Sequence, residues 1–95
     1  MKKIKESDIE KYLVEQVKLA GGEVRKVQWI GRRGAPDRFL MFPHCESFWV
    51  ELKAPGVKAE DYQLREHKRM ETFGCTVYVV DSFEKVDVLM PYYYA

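Results

Sequence analysis

Cysteine is scarce in this chain, and so are the residues that break regular structure: 95 positions hold two Cys, four Pro and six Gly. Cys45 and Cys75 form no C-x-x-C pair, which excludes a disulfide framework and fits a reducing compartment. Each reads as a small buried hydrophobe. No stretch approaches the ~18 continuous apolar residues of a membrane span, and residues 1–10 carry lysines with no apolar run behind them. Neither a membrane protein nor a secretory leader is expected, and a cytoplasmic location follows. Internal repeats and low-complexity tracts are also missing, which excludes fibrous and solenoid architectures.

What is present is ordinary: 46% apolar, 14% aromatic and 33% charged residues suit one folded domain over 1–95. A chain this short buries only a little over ~60% of the surface its unfolded form exposes, so a partner subunit would help it. The net charge of +1 hides an asymmetry. Within 24–38 lie Arg25, Lys26, Arg32, Arg33 and Arg38 against Asp37 alone, a local +4 that leaves −3 for the remainder. One anion-binding face is expected, with Lys58 joining the same set.

Ser7-Asp8-Ile9-Glu10 has the S-x-x-E form of a capping box, and Ile9, Leu13, Val17 and Ala20 follow at helical spacing up to Gly21-Gly22. A helix over 8–20 is predicted. Strands are predicted over 23–30, 38–42 and 48–52, then a helix over 59–73, a strand over 75–80 and a short helix from the Ser82 cap to Met90. The order is αβββαβ with a terminal helix, an α/β fold.

Glu51-Leu52-Lys53 is an E-x-K triplet, of which chance supplies about one at this composition. The second copy, Glu66-His67-Lys68, lies on a predicted helix, where i and i+2 diverge. Glu51 and Lys53 lie on a predicted strand and share a face. A hairpin turning about Cys45 places Asp37 opposite Lys53 and Phe39 opposite Glu51, with facing Cβ atoms about 5 Å apart. Asp37, Glu51 and Lys53 then cluster on one face, provided the register has even parity. With Glu10 the cluster sums to −3 against +1 from Lys53, and the excess calls for a divalent cation. Oxygen-only ligands suit Mg²⁺ or Mn²⁺ rather than zinc, and such an ion beside a basic stripe suits phosphodiester cleavage.

Several residues keep two readings. Glu10 is either a helix cap or a site carboxylate, with Glu15 as the fallback. Gln63 and His67 fall with Ala59, Met70 and Phe73 on the apolar stripe of the second helix, where a polar group needs a partner. For Gln63 a site role is favoured; for His67, a hydrogen-bonded core histidine is favoured over one that tunes the site. Arg32 and Arg33 are placed to contact phosphates. Trp29, Trp49 and Tyr92 to Tyr94 read as core or dimer surface rather than base-stacking platforms. A zinc site from His44, Cys45, His67 and Cys75 lacks any recognised spacing.

The segments Gly31-Arg32-Arg33-Gly34-Ala35-Pro36-Asp37, Phe48 to Gly56 with its Glu51-Leu52-Lys53, Gln63, and Gly74 to Val80 together resemble a stand-alone VRR-Nuc domain. This is the virus-type replication and repair nuclease branch of the PD-(D/E)XK superfamily, and the resemblance covers about 10–90. It implies a restriction-endonuclease-like αβββαβ core, a mixed central sheet flanked by helices, dependence on Mg²⁺ or Mn²⁺, and DNA cleavage in the cytoplasm of a bacterial or phage-infected cell. Small stand-alone members resemble dimeric Holliday-junction resolvases. Carried to this chain, Asp37, Glu51 and the Leu52 backbone carbonyl bind the metal and Lys53 orients the attacking water. Glu10 supports a second metal or its water, and Gln63 matches the family's glutamine. The neighbouring carboxylates favour the charged form of Lys53, so it reads as a charge stabiliser rather than a general base. A structure-selective endodeoxyribonuclease acting as a homodimer on branched DNA is expected; the alternative is a nucleic-acid-binding module or accessory subunit that keeps the fold without turnover.

Overall fold

The computed structural model describes residues 3–91, so the predicted role of Tyr92 to Tyr94 lies outside the described residues. The elements are α1 (Glu6–Leu19), β1 (Glu23–Lys26), β2 (Arg38–Met41), β3 (Phe48–Leu52), α2 (Asp61–Thr72), β4 (Val77–Val80) and α3 (Phe83–Leu89). The sheet runs β1-β2-β3-β4, antiparallel except for the parallel β3–β4 pair that α2 connects. The predicted αβββαβ order with a terminal helix is the observed one.

Side-chain alternation divides the sheet into two faces. Leu40, Val50, Leu52 and Val80 point to one side, where Ile9, Leu13 and Val17 of α1 and Val86 of α3 complete the main core. Phe39, Trp49, Glu51 and Lys53 point to the other side, toward α2. There Trp29 and Phe39 both pack on Trp49, with ring centroids 5.1 and 4.6 Å away. The aromatic pair Trp29 and Trp49 is therefore packing material, as expected. Cys75 is half-buried but Cys45 is exposed on the hairpin turn, against the expectation of burial.

Two differences from the sequence reading bear on the site. Helix α1 begins earlier than expected because Asp8, not Glu10, closes its N-terminus: the Lys5 backbone N–H donates to Asp8 Oδ2 at 2.8 Å. The regular part of β1 ends at Lys26 rather than Ile30, which is 95% exposed. One further backbone bond, Val27 N–H to Asp37 O at 2.8 Å, carries the β1–β2 pairing up to the start of the acidic site.

Candidate active site

Hairpin register decides which groups meet. Arg38 faces Val50 and Phe39 faces Trp49, a register two residues away from the expected one. Continued by one residue, it sets Asp37 opposite Glu51 rather than Lys53. An even shift preserves the face of every side chain. Asp37, Glu51 and Lys53 thus still share the α2 side of the sheet, at the end of β3.

Glu51 is the buried member, with its side chain only 12% exposed. Burial pushes its carboxyl up to about 7; Lys53 pulls the other way, and the charges of Asp37 and Glu6 push it further up. Its Oε1 lies 3.3 Å from His67 Nε2, and that ring is 7% exposed. Burial, foremost, holds the imidazole below its ordinary value, with Lys53 acting in the same direction and Glu71 and Glu66 opposing. His67 is thus a buried, hydrogen-bonded histidine, and its partner is Glu51.

The backbone supplies another oxygen. Trp49 and Lys53 donate their N–H groups to Thr76 O and Val80 O of the β4 side, each at 2.9 Å, so the intervening Leu52 turns its carbonyl toward β2. Continued two residues past Arg38, the register sets Pro36 opposite Leu52, and Pro36 has no N–H to donate. Two carboxylates and a carbonyl that lacks a ladder donor are hard oxygen donors suited to Mg²⁺ or Mn²⁺, which keep several waters as ligands. Among the described residues no three His, Cys, Asp or Glu side chains converge tightly enough to hold a metal by themselves. The backbone oxygen and waters would have to complete any coordination, and the residues present fit that arrangement.

Glu10 is engaged by an arginine. It accepts from Arg38 Nε at 2.9 Å and also pairs with Nη2. Arg38 lies on the α1 face with its side chain 8% exposed, and its Nη1 sits 2.7 Å from Asp37 Oδ1. Arg38 thereby links Glu10 of α1 to Asp37, so two of the predicted site groups, the Glu10 carboxylate and the Arg38 guanidinium, are paired with each other. The helix-one acid whose charge reaches Glu51 is Glu6, missed in the sequence reading. It lies one helical turn before Glu10, so both share a helix face. The fallback, Glu15, is exposed beside Lys11, Tyr12 and Phe83, on the α3 side.

Gln63 has a local partner. Its Oε1 accepts from the Glu60 backbone N–H at 2.8 Å, closing the N-terminus of α2, so this side chain is turned back to the helix end. The loop before Asp37 is fastened to the same helix. Arg32 grips Glu66 in a two-pronged pair, Nε to Oε2 at 3.1 Å and Nη2 to Oε1 at 2.6 Å. The pair holds the buried Glu66 carboxyl below its ordinary value. Arg33 stacks 4.0 Å from the centroid of the Tyr62 ring. Gly34 has φ +88°, and a Cβ there would stand 2.9 Å from Tyr62 O. Trp29 Nε1 donates to Pro36 O at 2.8 Å, bracing the step into Asp37. Arg32 is thus a structural anchor rather than a freely offered phosphate ligand. Of the remaining predicted DNA contacts Arg25 pairs with Glu23, whereas Lys26, Arg33 and Lys58 are exposed.

An αβββαβ domain with Asp, Glu and Lys gathered at one end of the central strands is the architecture of a restriction-endonuclease-like nuclease core. A solved structure described as a VRR_NUC domain superposes with a TM-score of 0.82 at 41% identity, covering 95% of this chain and 98% of that one. The "Putative nuclease p44" of Acyrthosiphon pisum secondary endosymbiont phage 1 is 45% identical over 89 residues, 94% of this chain and 96% of the phage protein. No family model matches the chain. On these two likenesses, the chain belongs to the VRR-Nuc family of nucleases.

Proposed function

We propose that this protein is a Mg²⁺- or Mn²⁺-dependent endodeoxyribonuclease that hydrolyses phosphodiester bonds in branched DNA, as a Holliday-junction resolvase does, and that it acts as a homodimer. The observation that carries the reading is Glu51, a carboxyl buried on the same sheet face as Asp37 and Lys53, where burial and like charge make ionisation costly. A divalent cation would repay that cost. Asp37, Glu51 and the Leu52 carbonyl would hold it, and when bound it supplies Lewis-acid polarisation of the phosphate and activation of water.

The chain's own residues do the remaining work. Lys53 orients the attacking water and offsets negative charge growing on the phosphoryl oxygens. Arg38 holds Asp37 in place from the α1 side. Lys26, Arg33 and Lys58 lie exposed for DNA phosphates, a sequence-independent attraction that suits recognition by branch geometry. A two-fold dimer would present two such sites to a four-way junction.

The test is cleavage of labelled four-way junction, flap and linear duplex DNA with Mg²⁺ or Mn²⁺, against chelator and against Lys53→Ala. Metal-dependent cutting of the junction, lost in the variant, is expected. Binding of junction DNA without cleavage under either metal, equal in the variant, would instead establish a binding module that keeps the fold without turnover.

A further inference from the structure

We propose that His67 is a positioning residue for the metal site: its Nε2–H donates to Glu51 Oε1, fixes that carboxylate against the sheet and leaves Oε2 for the cation. The inference rests on the metal-dependent reading above and adds a residue outside the Asp37, Glu51 and Lys53 set.

The geometry argues as follows. Glu51 has three rotatable side-chain bonds and stands among Asp37, Glu6 and Lys53, whose charges pull it in different directions. A carboxylate that must meet an ion in one orientation gains from a neighbour that removes its alternatives. His67 is that neighbour, 3.3 Å away and buried on the sheet-facing side of α2. An ionised carboxylate only accepts hydrogen bonds, so the ring that serves it carries its proton on Nε2. A ring donor orients the carboxylate without the permanent positive charge that a Lys or Arg at this position would set against an incoming divalent cation.

The helix that delivers His67 is itself held in register with the site. Glu66, the preceding residue, grips Arg32 of the loop that leads to Asp37. Adjacent residues of α2 thus secure both halves of the acidic pair, Glu66 through the loop and His67 directly. An aliphatic side chain at 67 would fill the space and provide no donor.

Mn²⁺ binding measured by calorimetry without DNA tests this, on the full chain and on His67→Leu, His67→Asn and His67→Gln, each checked for folding by thermal melting. A loss of about 10–100-fold in Mn²⁺ affinity is expected for Leu, the usual effect of removing an outer-shell partner. Asn, too short to reach Glu51, should behave like Leu and decides the matter if Leu does not fold. Gln, whose amide reaches nearly as far as Nε2, should recover most of the affinity. Wild-type affinity in folded Leu or Asn variants would overturn the assignment, and so would a folded Gln variant as weak as Leu. Failure of the unaltered chain to bind Mn²⁺ would overturn the metal-dependent reading itself, and this inference with it.

Discussion

Removing the charge of Glu51 should change stability in a way that depends on pH, with a sign that can be worked out. Its carboxyl rises from 4.5 to about 7 on folding, chiefly through burial. Between these values the folded chain keeps a proton that the unfolded chain has released, so stability falls as pH rises through the window. The favourable contribution is complete below 4.5 and gone above about 7. At about 1.4 kcal/mol per pH unit the span amounts to ~3 kcal/mol, a large part of the stability of a small domain. Glu51→Gln cannot ionise and should escape this loss. Urea unfolding of both proteins in chelator is the assay: the variant's advantage should grow by ~2–3 kcal/mol between pH 5 and pH 8. Other groups titrate in both proteins and largely cancel in the difference. Mg²⁺ at pH 8 should stabilise the wild type and leave the variant unchanged. An advantage that stays flat across this range, or a Glu51 carboxyl that titrates near 4.5 by NMR, would refute the reasoning.

Three further outcomes are expected. Gly34→Ala combines a positive φ with a Cβ 2.9 Å from Tyr62 O and should cost more than the ~1 kcal/mol expected of Gly31→Ala, where φ is +77° but nothing lies within 4 Å; paired thermal melts compare them. Glu10→Ala leaves the Nε and Nη2 of a buried Arg38 without their partner and should destabilise by about 2 kcal/mol, less than a fully buried pair because Glu10 is partly exposed; denaturant unfolding measures it. Glu6→Gln should move the Glu51 carboxyl toward its ordinary value in an NMR titration, whereas Glu10→Gln should leave it in place.

The sequence was most legible where one physical signal acted alone. Strand β3 matches its predicted bounds because the apolar run Phe48 to Leu52 is closed on both sides by turn residues. The site face was legible too, because parity alone decides which side chains share a face and a two-residue error leaves parity unchanged. The register was not. It depends on the turn, and this hairpin turns through His44 at φ +65°, a conformation that residue type does not announce.

Where two roles call for the same residue, pattern failed. A carboxylate or amide three positions into a helix can close the helix end or serve a site. Glu10 reads from sequence as either a cap or a site carboxylate and pairs with Arg38, while Gln63, for which a site role is favoured, accepts the N-terminal N–H of α2. The signal that separates them is a competing cap: Asp8 stands three residues after Lys5 and already closes α1, whereas no other side chain is seen to take the Glu60 N–H of α2. Basic residues were misread for a related reason. Arg32 and Arg38 count as positive charge in any stripe, but each is consumed by an acid distant in sequence, Glu66 or Glu10, and long-range pairing has no local spacing.

These consumed arginines explain how so small a domain tolerates its site. Ionising Glu51 beside Asp37 and Glu6 works against folding, and the main core lies on the opposite face of the sheet. Apolar burial in the main core therefore does not by itself hold the acids together. Directional contacts do it instead: Arg38 pairs with Asp37, Trp29 braces Pro36, Arg32 ties the loop to Glu66, and His67 meets Glu51. Each has a defined geometry, which apolar packing at a sheet end would not impose. The acids are kept close despite their repulsion, so on the proposed metal-dependent reading the site is organised without the cation. Preorganisation of that kind predicts that metal binding should bring little change in backbone conformation and a large gain in stability.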